Sequence, residues 1–166
     1  MSLQEAINVA LAKEPRRTSV LPRIKRQKLS REQWLHCNNP LMHRGKLNWN
    51  WALEPEQRLS IEFADIMRGL TLKGVYRGVW GHVPNEGKRH QIVAAIMKAM
   101  GMISGTPDYF FIWPGGAGVI ELKFGDNKLT DNQWHYQLWC EAEGLNHAVC
   151  WSSQEAISKL TEWGAI

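Results

Sequence analysis

The stretch from Gly101 to Lys123, GMISGTPDYFFIWPGGAGVIELK, constrains the fold of this chain more than any other. Two short apolar runs flank a glycine-rich turn. Asp108 opens the first run, DYFFIW, and Glu121 and Lys123 close the second, GVIELK. Side chains alternate across a strand, so Glu121 and Lys123 share one face while Ile120 and Leu122 share the other. Folded as a hairpin, the segment sets Asp108 beside Glu121 and Lys123. Two carboxylates and an amine converging at one end of a buried hairpin are costly for a core. A divalent cation such as Mg²⁺ or Mn²⁺ offsets that cost, because it takes hard oxygen ligands and keeps several waters.

Around this hairpin the pattern predicts a mixed α/β domain. Pro55 suits the first turn of a helix. Leu59, Phe63, Ile66 and Leu70 then recur at helical spacing and make one apolar face, with Gly69 and Gly74 as limits. Glu56 lies at one edge of that face and Glu62 at the other, and either can reach inward. VYRGVWGHV (75–83) reads as a strand, and PNEGKRH after it is turn chemistry followed by basic residues. A helix is expected from about Lys88 to Met100, capped by Gly101. After the hairpin, Thr130 with Gln133 three positions on forms a capping box for a helix running to about Glu143. NHAVCW (146–151) reads as a strand, and Ser152 with Glu155 opens a last helix ending near Trp163. The order from residue 55 is helix, strand, helix, strand, strand, helix, strand, helix. That makes four strands flanked by helices.

The 166 residues are 44% hydrophobic and 22% charged, enough for one domain with a real core. No run is long and apolar enough to span a membrane and no signal-peptide core is evident, so a soluble cytoplasmic protein without a membrane partner is the expectation. Cys37, Cys140 and Cys150 include no CxxC pair, which argues against a disulfide framework or zinc ribbon. His36, Cys37 and His43 fit no common zinc spacing. Charge is uneven. Residues 1–50 hold ten Lys/Arg against three Asp/Glu, and residues 51–166 hold ten against thirteen. Residues 1–53 therefore read as a basic arm, extended around Pro15 and Pro22, ahead of a domain at 54–166. Such an arm suits a polyanion, nucleic acid above all, or is simply solvated. Trp49 and Trp51 are expected to cap the core, and most of the nine tryptophans to pack inside it.

Phosphodiester hydrolysis needs a cation to polarise the phosphate, a group to position or deprotonate water, and stabilisation of the developing charge. Asp108 and Glu121 are suitable ligands, and Lys123 is placed to hold the water. Four segments carrying these residues resemble, in order, the VRR-Nuc group of the PD-(D/E)XK nuclease superfamily. They are HVPNEGKR (82–89), GMISGTPD (101–108), VIELK (119–123) and LTDNQ (129–133). The resemblance spans roughly residues 55–164. It implies a restriction-endonuclease-like core with a central mixed four-stranded sheet. Asp108 and Glu121 would then be metal ligands for Mg²⁺ or Mn²⁺, with the carbonyl of Leu122 as a third. Lys123 would be the catalytic lysine and Gln133 a neighbour in the active site. EQRLS (56–60) resembles the family's first-helix glutamate segment, with Ser60 in place of a glutamine, and selects Glu56 over Glu62. His82, Asn85, Glu86, Lys88 and Arg89 become nucleic-acid-binding candidates, with Glu86 where relatives carry glycine.

The function implied is a metal-dependent DNA endonuclease leaving 5′-phosphates. It would be structure-selective for branched DNA or Holliday junctions and would act as a homodimer. Two alternatives stand beside it. One is a DNA-binding or assembly module on a nuclease scaffold, with the basic arm as its working part. The other is a nuclease of the same core with another nucleic-acid substrate, since substrate choice resides in surface shape.

Overall fold

A β-hairpin forms the middle of the sheet. The structure is a computed structural model and describes residues 52–84 and 91–166. The elements are α1 (Pro55–Leu72), β1 (Val79–His82), α2 (Gln91–Ala99), β2 (Tyr109–Trp113), β3 (Gly116–Leu122), α3 (Asp131–Ala142), β4 (Asn146–Cys150) and α4 (Ser153–Glu162). The sheet order is β1-β2-β3-β4. β1 and β2 are antiparallel, as are β2 and β3, whereas β3 and β4 run parallel with α3 as their crossover. The fold is thus α/β, a mixed four-stranded sheet flanked by helices.

One face of the sheet is the core face. Tyr109, Phe111 and Trp113 of β2, Ile120 and Leu122 of β3, and Ala148 and Cys150 of β4 all point there. Leu59, Phe63 and Met67 of α1 and Ala156 and Leu160 of α4 close over them. The Phe63 ring meets Tyr109 edge-on at 5.0 Å and Phe111 at 6.1 Å. Burying a side chain of that size stabilises the domain by about 2–3 kcal/mol. Gly118 admits the Trp163 ring: a Cβ there would sit 2.8 Å from Trp163 Cζ3. The alternation that buries Ile120 and Leu122 sends Glu121 to the opposite face, where Gln133 of α3, the helix beside β4, reaches it. No helix among the described residues is long and apolar enough to cross a membrane.

Several expectations change. The stretch at 75–83 is a strand only from Val79. Gly74 and Val75 belong to the turn after α1, and Tyr76 is fully buried with its hydroxyl donating to the carbonyls of Val79 and Ile112. Gly69 does not limit α1, which continues to Leu72. Its buried stripe runs through Leu59, Phe63, Met67 and Thr71 at spacings of four, which leaves Ile66 exposed. The six described tryptophans divide evenly between core and surface. Trp113 is buried and Trp80 and Trp163 pack against the core, but Trp134, Trp139 and Trp151 are exposed. Residues 1–51 of the basic arm, Trp49 and Trp51 among them, lie outside the described residues.

Candidate active site

Register fixes the site. Tyr109 pairs with Ile120, so Asp108, one residue earlier, comes opposite Glu121, one residue later. An Asp108 Oδ2 accepts a hydrogen bond from the Leu122 backbone N–H at 2.8 Å, which pins the carboxylate across the strand end. The main chain at Asp108 is held too, its carbonyl accepting from Val83 N–H at 2.7 Å. Lys123 N–H donates to the Cys150 carbonyl at 2.9 Å, extending the β3–β4 pairing one residue past the strand.

Three further side chains converge on this end. Lys123 Nζ lies 2.9 Å from Glu121 Oε1 and 3.8 Å from Glu56 Oε1. Gln133 Nε2 donates to Glu121 Oε1. Gln133 also completes the capping box of α3, its Oε1 accepting from Thr130 N–H at 2.9 Å while its backbone N–H donates to Thr130 Oγ1 at 3.4 Å. One residue therefore both starts the helix and orients Glu121. These groups line a cleft of about 230 Å³ whose wall also includes Gly105, Thr106 and Asn132. Glu56, Asp108, Glu121, Lys123 and Gln133 are thus brought together, with Leu122 at the cleft edge. Glu62 is exposed on the outer side of α1 and lines no part of it.

His82 is elsewhere. It lies on the core face at the edge strand, its ring 5.0 Å from Tyr109. Asn85, Glu86, Lys88 and Arg89 lie outside the described residues. Ser60, standing where the resemblance expects glutamine, is hydrogen-bonded to the Tyr109 hydroxyl at 2.7 Å and ties α1 to β2.

Electrostatics make the cluster unusual. Glu121 is 2% exposed and Lys123 8%. Glu121 Oε2 and Glu56 Oε1 are buried without a hydrogen-bond partner. Burial, with the Asp108 carboxylate adding repulsion, pushes the Glu121 carboxyl up to about 7, against the pull of Lys123. A buried carboxylate held beside another, with one oxygen unpartnered, has the donor chemistry a hard cation requires. Asp108, Glu121 and the Leu122 carbonyl fit such an ion if water completes its shell. Among the described residues no group of three or more His, Cys, Asp or Glu side chains forms a metal cage.

Comparison with family models, with curated proteins and with solved structures finds no match to this chain.

Proposed function

We propose that the protein is a divalent-metal-dependent DNA endonuclease of the PD-(D/E)XK type, resembling the VRR-Nuc group and selective for branched DNA. The observation that carries this reading is the convergence of Asp108, Glu121 and Lys123 at one strand end, with Glu121 almost fully buried and one of its oxygens unpartnered. A packed core has no use for that arrangement, and a phosphodiester hydrolase does.

Asp108 and Glu121, with the Leu122 carbonyl, would hold Mg²⁺ or Mn²⁺. The ion supplies Lewis-acid polarisation of a phosphoryl oxygen and a water of lowered pKa. Lys123, on the same face as Glu121, would hold the attacking water and stabilise the charge that develops during in-line displacement. Glu56 faces Lys123 from α1 and restrains the ammonium. Gln133 holds Glu121 in one rotamer. Displacement of the 3′ oxygen leaves a 5′-phosphate. A pair of copies would suit the two-fold symmetry of a four-way junction, and the basic first 50 residues would engage phosphates without reading sequence.

The test is incubation of the full chain with Mg²⁺ or Mn²⁺ and single-stranded, duplex, flap and four-way-junction DNA. The reading expects metal-dependent cleavage concentrated on the branched substrates. Equal cleavage of all four would remove the structure-selective part. Binding with no cleavage in either metal would favour a DNA-binding module on the same scaffold.

A further inference from the structure

A second depression, of about 460 Å³, adjoins the catalytic cleft and shares its Glu56 wall. It opens between the start of α1 and the turn at 124–127, and its walls include Glu54, Glu56, Phe124, Asp126 and Asn127. Phe124 follows Lys123 directly. It lies outside the core cluster and is 47% exposed.

The turn that presents Phe124 is fixed. Asn127 N–H donates to the Phe124 carbonyl at 3.2 Å, and the Trp151 indole N–H donates to the Asn127 carbonyl at 3.3 Å. On the other side, Lys123 is anchored to Cys150 through its backbone N–H. An aromatic ring held on a rigid turn loses little conformational freedom when something stacks on it.

Charge narrows what that something is. Three carboxylates, of Glu54, Glu56 and Asp126, border the depression, and among the described residues no Lys or Arg lines it. Phosphate is repelled there, although the neighbouring cleft contains Lys123. A neutral, flat group with N–H donors is favoured instead, stacking on the ring and donating to the carboxylates. Next to a scissile phosphate, that group is a nucleobase.

We propose that Phe124 and the acidic rim form a subsite for the nucleobase adjoining the scissile phosphate, taken out of its stack. The inference rests on the nuclease reading and adds a reason for substrate choice. A base stacked and paired within a continuous duplex must be unstacked before it can lie on Phe124, whereas a base at a branch point or in a single strand is already available. The subsite therefore selects DNA whose nucleotide beside the cut is unpaired.

The experiment measures steady-state cleavage in Mg²⁺ of a flap oligonucleotide, intact or carrying an abasic site at the nucleotide on either side of the cut. The full-length wild type, Phe124→Ala and Phe124→Tyr are compared. On intact DNA, Phe124→Ala is expected to raise KM roughly tenfold with kcat nearly unchanged, and Phe124→Tyr to restore KM. One of the two abasic substrates should raise the wild-type KM to a similar extent, and Phe124→Ala should add nothing further on it. Unchanged KM in Phe124→Ala, or penalties from variant and abasic site that simply multiply, would overturn the subsite. A lowered urea midpoint with unchanged KM would also overturn it, since Phe124 would then be a packing residue. Cleavage by the wild type with Phe124 indifferent removes the subsite alone. Absence of metal-dependent cleavage by the wild type removes the nuclease reading with it.

Discussion

Glu121 concentrates the physical tension of the molecule. It is 2% exposed, shares one oxygen between Lys123 and Gln133, faces the Asp108 carboxylate, and leaves its second oxygen unpartnered. Its carboxyl is pushed up to about 7 in the folded state. A group whose pKa rises on folding contributes fully to stability below its unfolded value, near 4.3, and loses that contribution as pH climbs through the folded value. In the absence of divalent ions, the urea midpoint should therefore fall between about pH 4.5 and pH 7.5. Glu121→Gln should flatten this slope. It should match the wild type near pH 4 and exceed it at pH 8 by on the order of 1–3 kcal/mol. Added Mg²⁺ should narrow the gap at pH 8 by stabilising the wild type alone. Parallel pH profiles for the two proteins would show that Glu121 carries no such tension. The residues of this cluster were legible because alternation along GVIELK and a hairpin register suffice to place them. Periodicity alone made Glu56 legible only as one of two helix-edge carboxylates, since the distinction depends on how α1 turns against the sheet; the resemblance of EQRLS singled it out. Phe124 was not legible, because an isolated aromatic after a strand carries no period that separates core from surface.

At the scale of elements, the order of strands and helices follows from periodicity, capping and turn residues, and the structure has that order. The departures have local causes. Tyr76 satisfies its buried hydroxyl through two strand carbonyls, which converts the beginning of the stretch at 75–83 from ladder to turn. Gly69 remains helical because α1 is held by tertiary packing of Phe63 and Met67, which outweighs glycine's weak helix propensity. Gly105 does more for the site than sequence suggests. Its φ is +85°, and a Cβ there would lie 2.7 Å from Gln133 N and closer still to the Asn132 carbonyl. The Gly101–Asp108 approach can press against the start of α3 only because residue 105 has no side chain. Gly105→Ala should cost about 2 kcal/mol or more through the left-handed conformation and the backbone clash. It should also reduce activity, since α3 carries Gln133. Thermal unfolding and cleavage rates measure the two effects, and a variant equal to wild type in both would show that this wall yields freely.

At the scale of the whole molecule, the basic charge and the carboxylate cluster are separated along the chain. The first 50 residues are strongly basic, while the domain that holds the cluster carries a slight acidic excess. On the proposed nuclease reading, attraction to a polyanion would fall to one part and chemistry to the other, so that the buried carboxylates would not have to attract DNA themselves. Composition made this division visible. It did not reveal that exposed Trp134, Trp139 and Trp151 place much of the aromatic content at the surface, because burial depends on which helix face meets the sheet. The central claim is that Asp108, Glu121 and Lys123 form one hydrolytic centre. Its most direct measurement is the single-turnover rate of four-way-junction cleavage in Mg²⁺ for wild type, Asp108→Asn and Lys123→Met, with junction affinity measured alongside. The account predicts that each substitution lowers the rate by at least about a hundredfold while affinity and folding are retained. Wild-type rates in either variant would contradict it.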